Sequence, residues 1–159
     1  MKLLKWAGFA LVAIVISMLL NMMSFTTTPV TLTPLLDASE IDKQAVSERL
    51  SKGIQFQTIS HMDPAKKDPG VFKAFHAFLK ESYPKLHQSL ELEMVSDLAL
   101  LYRWKGSDQS LKPMILMSHQ DVVPVDIETR DRWIHDPFSG AISDGIIWGR
   151  GAVDVKSGV

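Results

Sequence analysis

The apolar positions change period along the chain, and each period predicts a different element. Residues 6–23 carry no charge, and 15 of these 18 positions are apolar. No polar face interrupts the run, so it reads as a helix that is apolar all round. At ~1.5 Å per residue it would be about 27 Å long, close to the ~30 Å hydrocarbon core of a bilayer. Lys2 and Lys5 precede it and no basic residue follows closely, which predicts a cytoplasmic N-terminus and an exported remainder. A cleaved signal peptide is the rival, but its exit would carry small residues. Here the exit reads Asn21-Met22-Met23-Ser24-Phe25, with bulky Met22 where a small residue belongs. Residues 1–36 therefore read as a signal-anchor helix and a spacer, the latter marked by five Thr and two Pro over 26–34.

Over 37–159 the pattern is that of a folded domain. Ser39 precedes Ile41, Ala45, Val46, Leu50 and Ile54, recurring at helical steps, with Gly53 as a candidate end. The Pro- and Asp-rich stretch 61–70 is a loop. Asp68 and Pro69 form a cap and first position for a second helix, whose stripe is Val71, Phe72, Phe75, Phe78, Leu79 and Tyr83, ended by Pro84. Residues 90–94 alternate as a half-exposed strand does, and 99–104 form another candidate. Met114-Ile115-Leu116-Met117 suits a strand buried on both faces. Residues 138–148 read as a hairpin turning at Asp144-Gly145. This order predicts an α/β layered domain.

Composition narrows the function classes. A chain of 159 residues, 46% hydrophobic and 22% charged, is neither disordered nor fibrous. With 17 basic and 18 acidic residues there is no surplus to attract nucleic acid. All the acidic residues lie at or after Asp37, where 15 basic residues accompany them, a charge of -3. There is no cysteine, so disulfides and thiolate ligands or nucleophiles are excluded, and a metal would need His, Asp or Glu.

Two His-x-Asp triplets are present, His61-Met62-Asp63 and His119-Gln120-Asp121. The first sits in the loop and reads as solvated. The second follows the apolar run 114–117, and the carboxyl end of a central strand is where open α/β sheets place chemistry. In extended chain His119 and Asp121 share a face, with Gln120 pointing away. A metal-bound imidazole needs an acceptor on its other nitrogen, which Asp121 can supply. A surface His–Asp pair is the plain alternative. Asp154, within Gly149-Arg150-Gly151-Ala152-Val153-Asp154-Val155-Lys156-Ser157-Gly158, is a candidate bridging carboxylate or, alternatively, a helix N-cap. His76 and His87 read as structural or surface residues, and His135 precedes the hairpin.

Together, Ser118-His119-Gln120-Asp121-Val122-Val123-Pro124, Trp133, Asp136-Pro137-Phe138-Ser139-Gly140, Asp144-Gly145 and Gly149 to Lys156 resemble the M20 family of zinc metallopeptidases. The likeness is greatest to the branch with carboxypeptidase S and the N-acyl-amino-acid hydrolases. The resemblance implies an α/β/α catalytic domain, here its N-terminal portion, preceded by one transmembrane helix. It implies a two-zinc hydrolase of peptide or N-acyl amino acid substrates. His119 would bind one zinc, Asp154 would bridge two, and Asp121 would be the catalytic aspartate supporting His119. The peptide Asp154-Val155 is a candidate cis bond. Arg150 and Lys156 match the motif without a catalytic role and read as solvated or salt-bridged. The family's general-base glutamate, its remaining ligands and its dimerisation domain would all lie past Val159, five residues beyond Asp154. The expectation is an exported, membrane-anchored fragment, inactive alone. The alternative is a non-catalytic interaction module on the same fold.

Overall fold

The computed structural model describes residues 2–24 and 41–159, with side chains at Trp6, from Gly8 to Ser24 and from Ile41 onward. The expected Thr/Pro spacer and Ser39 lie outside the described residues. The chain divides into two units, Met1–Ala38 and Ser39–Val159.

The first unit holds α1 (Lys2–Ser24), one unbroken helix of 23 residues. Its described side chains are all exposed. Among the described residues no helix is long and apolar enough to cross a membrane. The part of α1 whose side chains are described without a break, Gly8 to Ser24, is shorter than the 18-residue run read from the sequence.

The second unit is a mixed α/β structure. Its helix α2 (Lys43–Gln55) starts at Asp42, whose carboxylate accepts the Ala45 N–H at 3.0 Å. An aspartate directly before the helix satisfies one of its orphan N–H groups. The helix passes through Gly53, which is buried, to Gln55. Asp68 caps α3 (Pro69–Ser82) by accepting the Gly70 N–H, as the Asp-Pro pair predicts. Pro84 does more than end it. Proline's fixed φ suits a first helical position, and α4 (Pro84–Ser89) begins there.

The core lies between α2 and α3. Ile54, Phe72, Phe75 and Leu79 are buried. Phe56, Phe75 and Phe78 pack with ring centroids 5.2 to 6.0 Å apart. Fully burying one such side chain contributes about 1.5–3 kcal/mol. Elsewhere in this unit Ile59 and Val122 form a single parallel bridge. Ser60 N–H donates to Val122 O at 3.0 Å, and Val122 N–H to Thr58 O at 2.9 Å. The fully buried Thr58 hydroxyl donates to Gln120 O at 2.6 Å.

The predicted hairpin forms, and the two strand candidates before it pair with each other as a second one. β1 (Glu91–Val95) pairs antiparallel with β2 (Ala99–Arg103). β3 (Ile142–Ser143) pairs with β4 (Ile146–Ile147) around Asp144 and Gly145, both at positive φ, the combination a tight hairpin turn demands. The predicted buried strand at 114–117 does not form: the segment is irregular, and its four side chains are 77 to 90% exposed. A strand is covered on both faces only when neighbours pair with it and layers close over it. After residue 117 this stretch of chain first pairs at Val122.

Candidate metal-ligand site

The segment 118–122 leaves the irregular run and locks onto residues 58–60. Val122 is buried, which points its neighbours Asp121 and Val123 outward. Gln120 projects away from the site. Its amide donates to Leu98 O, and its Oε1 lies 2.7 Å from His76 Nε2. The predicted division of faces holds, with His119 and Asp121 together and Gln120 opposite. His76 is thereby structural, tying α3 to the site segment.

The loop 149–158 faces His119. Arg150 N–H donates to Pro137 O at 2.7 Å, and the Arg150 guanidinium lies over the Trp133 ring. Lys156 N–H closes the loop onto Gly151 O at 2.8 Å. Gly151 sits at φ +89°, and a Cβ there would be 2.7 Å from Val122 Cγ1, so only glycine lets the two segments approach this closely. The Ser118 hydroxyl donates to Val155 O at 3.1 Å. The Asp154-Val155 peptide is cis, as the resemblance implied.

His119 stands between two acceptors. Its Nδ1 is 2.9 Å from Asp121 O and 3.2 Å from Asp121 Oδ1. Its Nε2 is 2.9 Å from Asp154 Oδ1. Asp154 is therefore paired with His119, and it caps no helix. An imidazole flanked by acceptors on both nitrogens is stabilised when it carries two protons. The Asp121 carbonyl first, then the Asp154 carboxylate, accordingly hold the His119 pKa above its ordinary value.

A zinc ion fits this donor pair by the same geometry. With Nδ1–H held by Asp121, Nε2 of His119 faces the Asp154 carboxylate, and either a proton on Nε2 or a metal ion shared by the two side chains satisfies the contact. With bonds of ~2.0–2.2 Å and tetrahedral angles, two ligands of one zinc stand about 3.3–3.6 Å apart, so the pair would open by about half an ångström. The Asp154 side chain is 88% exposed, leaving most of its carboxylate open to a further cation. Asp121, His119, Val122, Arg150, Gly151 and Asp154 all line a hollow of about 200 Å³. Among the described residues no group of three or more His, Asp or Glu is placed to hold a metal. His61 is exposed, and His135 packs beside the Trp148 ring at 5.2 Å.

Sequence reasoning missed Lys156. Expected to be solvated or salt-bridged, it is only 4% exposed. Its ammonium donates to Gly53 O at 2.9 Å and to Phe56 O, and lies over the Phe75 ring. Burial pushes its pKa down to about 8. The signal was its position two residues after Asp154, in a segment whose other members are nearly all small or apolar.

Residues 115–159 match the model of peptidase family M20/M25/M40. The chain is 38% identical to probable carboxypeptidase S-like 2 of Dictyostelium discoideum, a match covering 94% of this chain and 30% of the relative. It is 42% identical to carboxypeptidase S of Saccharomyces cerevisiae over 69% of this chain and 20% of the relative. It is 37% identical to the N-fatty-acyl-amino acid synthase/hydrolase PM20D1 of Mus musculus over 76% of this chain and 24% of the relative. The chain thus spans less than a third of the length of these curated relatives. The match over 115–159 begins just before His119 and runs through Asp154, the two side chains that meet in the structure. The chain belongs to the M20 family of metallopeptidases.

Proposed function

We propose that this chain is the N-terminal portion of the catalytic domain of a metal-dependent hydrolase. Its reaction class is cleavage of an amide or peptide bond, as a carboxypeptidase or an N-acyl-amino-acid hydrolase. The observation that carries the site is the 2.9 Å approach of His119 Nε2 to Asp154 Oδ1, with Nδ1 held by Asp121. The relatives named as carboxypeptidases and as a fatty-acyl-amino acid hydrolase support the substrate class.

In this reading His119 and Asp154 would hold zinc, with Asp154 as the carboxylate the two ions would share. Asp121 orients the His119 imidazole and keeps its Nε2 lone pair turned toward Asp154. Val122 and Gly151 set the spacing between the two ligand-bearing segments. Zinc, when bound, would lower the pKa of a water and polarise the scissile carbonyl. A structural zinc takes about four ligands and a catalytic one about three with water. The described residues supply two, so the chain alone is not expected to hold a working two-zinc site. A general base and further ligands would have to come from outside these described residues.

The same reading makes α1 a signal-anchor, with the catalytic part on the extracytoplasmic side. What supports this is the sequence run 6–23, which carries no charge and is apolar at 15 of its 18 positions. The Dictyostelium match leaves about 10 residues of this chain uncovered, so it takes in most of the first unit as well. Secretion after signal cleavage is the second reading of this segment.

The test uses the product of the native reading frame, assayed on short peptides and on N-fatty-acyl amino acids. Hydrolysis should be lost with a chelator, restored by zinc, and absent in His119→Ala and Asp154→Asn. Full activity in either variant refutes the ligand assignment. Stoichiometric zinc on the 159-residue chain, lost on His119→Ala, would refute its incompleteness.

A further inference from the structure

The last carbonyls of a helix have no partner within it, and its C-terminal end carries partial negative charge. At the end of α2, Gly53 O accepts the Phe56 N–H and Phe56 O the Thr58 N–H, and both receive a further donor from far along the chain. Gly53 O and Phe56 O accept from the Lys156 ammonium, 103 and 100 residues away. The remaining side of the ammonium faces the Phe75 ring, 4.9 Å to its centroid. Among the described residues no carboxylate pairs with it. A lysine suits this place because a compact ammonium on a four-carbon stem can donate in three directions through a narrow channel.

The anchored residue is two positions from Asp154. The backbone of Lys156 also closes the loop onto Gly151 O, and Gly151 abuts both Val122 and the Lys156 stem. Asp154 is itself highly exposed and contacts little besides His119. Its location is therefore set by what its neighbours hold. We propose that Lys156 is a positioning residue: by plugging the end of α2 it registers the 151–156 loop so that Asp154 meets His119 Nε2. This concerns the geometry of the pair and stands whether or not the pair holds zinc.

The test is made without metal, on the full chain in detergent micelles, at one fixed pH. Ring-15N histidine signals are compared in the parent chain and in Asp154→Asn, which give two reference positions for His119 Nε2. In Lys156→Met the His119 signal should move at least halfway to the Asp154→Asn position. Those of His61, His87 and His135 should stay. The chain has no cysteine, so Lys156→Cys can be alkylated with 2-bromoethylamine in denaturant and refolded. Restoring the ammonium in this way should return His119 to its parent position. Should Lys156→Met not fold, Lys156→Gln is read instead, since its amide still reaches one carbonyl, and His119 should lie between the references. The proposal is overturned if His119 keeps its parent position in the neutral variant that folds. It is also overturned if all the histidines move together, if the refolded alkylated chain leaves His119 displaced, or if Asp154→Asn leaves the signal unmoved.

Discussion

Gly151→Ala tests whether the close approach of the two site segments is a real packing constraint. The added methyl would sit 2.7 Å from Val122 Cγ1 and 3.4 Å from Lys156 Cδ. Ordinary carbon contacts are ~3.5–4.0 Å, so Val122 must retreat by about 1 Å. Val122 is buried and hydrogen-bonded to Thr58 on its backbone, so it cannot retreat freely. Overpacking of this kind costs about 1–3 kcal/mol. Holding an alanine at φ +89° adds about 1–2 kcal/mol. Gly145→Ala supplies the control, because Gly145 has φ +75° and open space around it, so only the conformational part applies. For a unit of this size 1 kcal/mol corresponds to about 4 °C in Tm. Gly145→Ala should therefore lower Tm by about 4–8 °C, and Gly151→Ala by about 8–20 °C. Thermal and urea unfolding followed by tryptophan fluorescence read both. If Gly151→Ala loses no more than Gly145→Ala, the contact between the segments is not tight, and the account of how His119 and Asp154 are brought together fails.

Thr58→Val keeps the buried shape but strips Gln120 O of its donor, and should cost about 1–3 kcal/mol in urea unfolding. A loss below that range would mean that the carbonyl finds another partner. Phe75→Ala should cost about 3–5 kcal/mol by the same measurement, whereas Leu101→Ala, on an exposed strand, should fall within about 0.5 kcal/mol. Asp136 is held below the usual carboxylate range, first by the Phe138 N–H and then by Arg130. A depressed folded pKa means that its stabilisation is present above the unfolded value and is lost as pH falls through the folded one. The parent chain should therefore lose stability below about pH 4 more steeply than Asp136→Asn, and equal slopes in urea titrations would refute the anchor.

Local signals were legible where local physics decided the outcome. The Asp68-Pro69 helix start, the Asp144-Gly145 turn and the alternation in β1 all act within a few residues, and each element formed where it was expected. The facing of His119 and Asp121 away from Gln120 follows from strand geometry alone. What the pattern could not convey was partnership at long range. Residues 114–117 read as a doubly buried strand because burial was inferred from apolarity, yet burial depends on what lies beside them. Lys156 read as solvated because charge was taken as a mark of the surface, and its carbonyl partners are about 100 residues upstream. Pro84 marks both a helix end and a helix beginning, and the sequence alone does not choose between them.

The long reach of Lys156 also bears on the order in which the protein can be completed during synthesis. At ~5–20 residues per second, the roughly 100 residues between the end of α2 and Lys156 take about 5–20 s to make. Through that interval the carbonyls of Gly53 and Phe56 are made but have no lysine ammonium to accept from. Phe75 lacks the cation that will rest on its face. A nascent chain therefore carries a helix end held only by its own nearby N–H groups until its 156th residue arrives. The step that finishes α2 is then the same step that delivers Asp154 to His119.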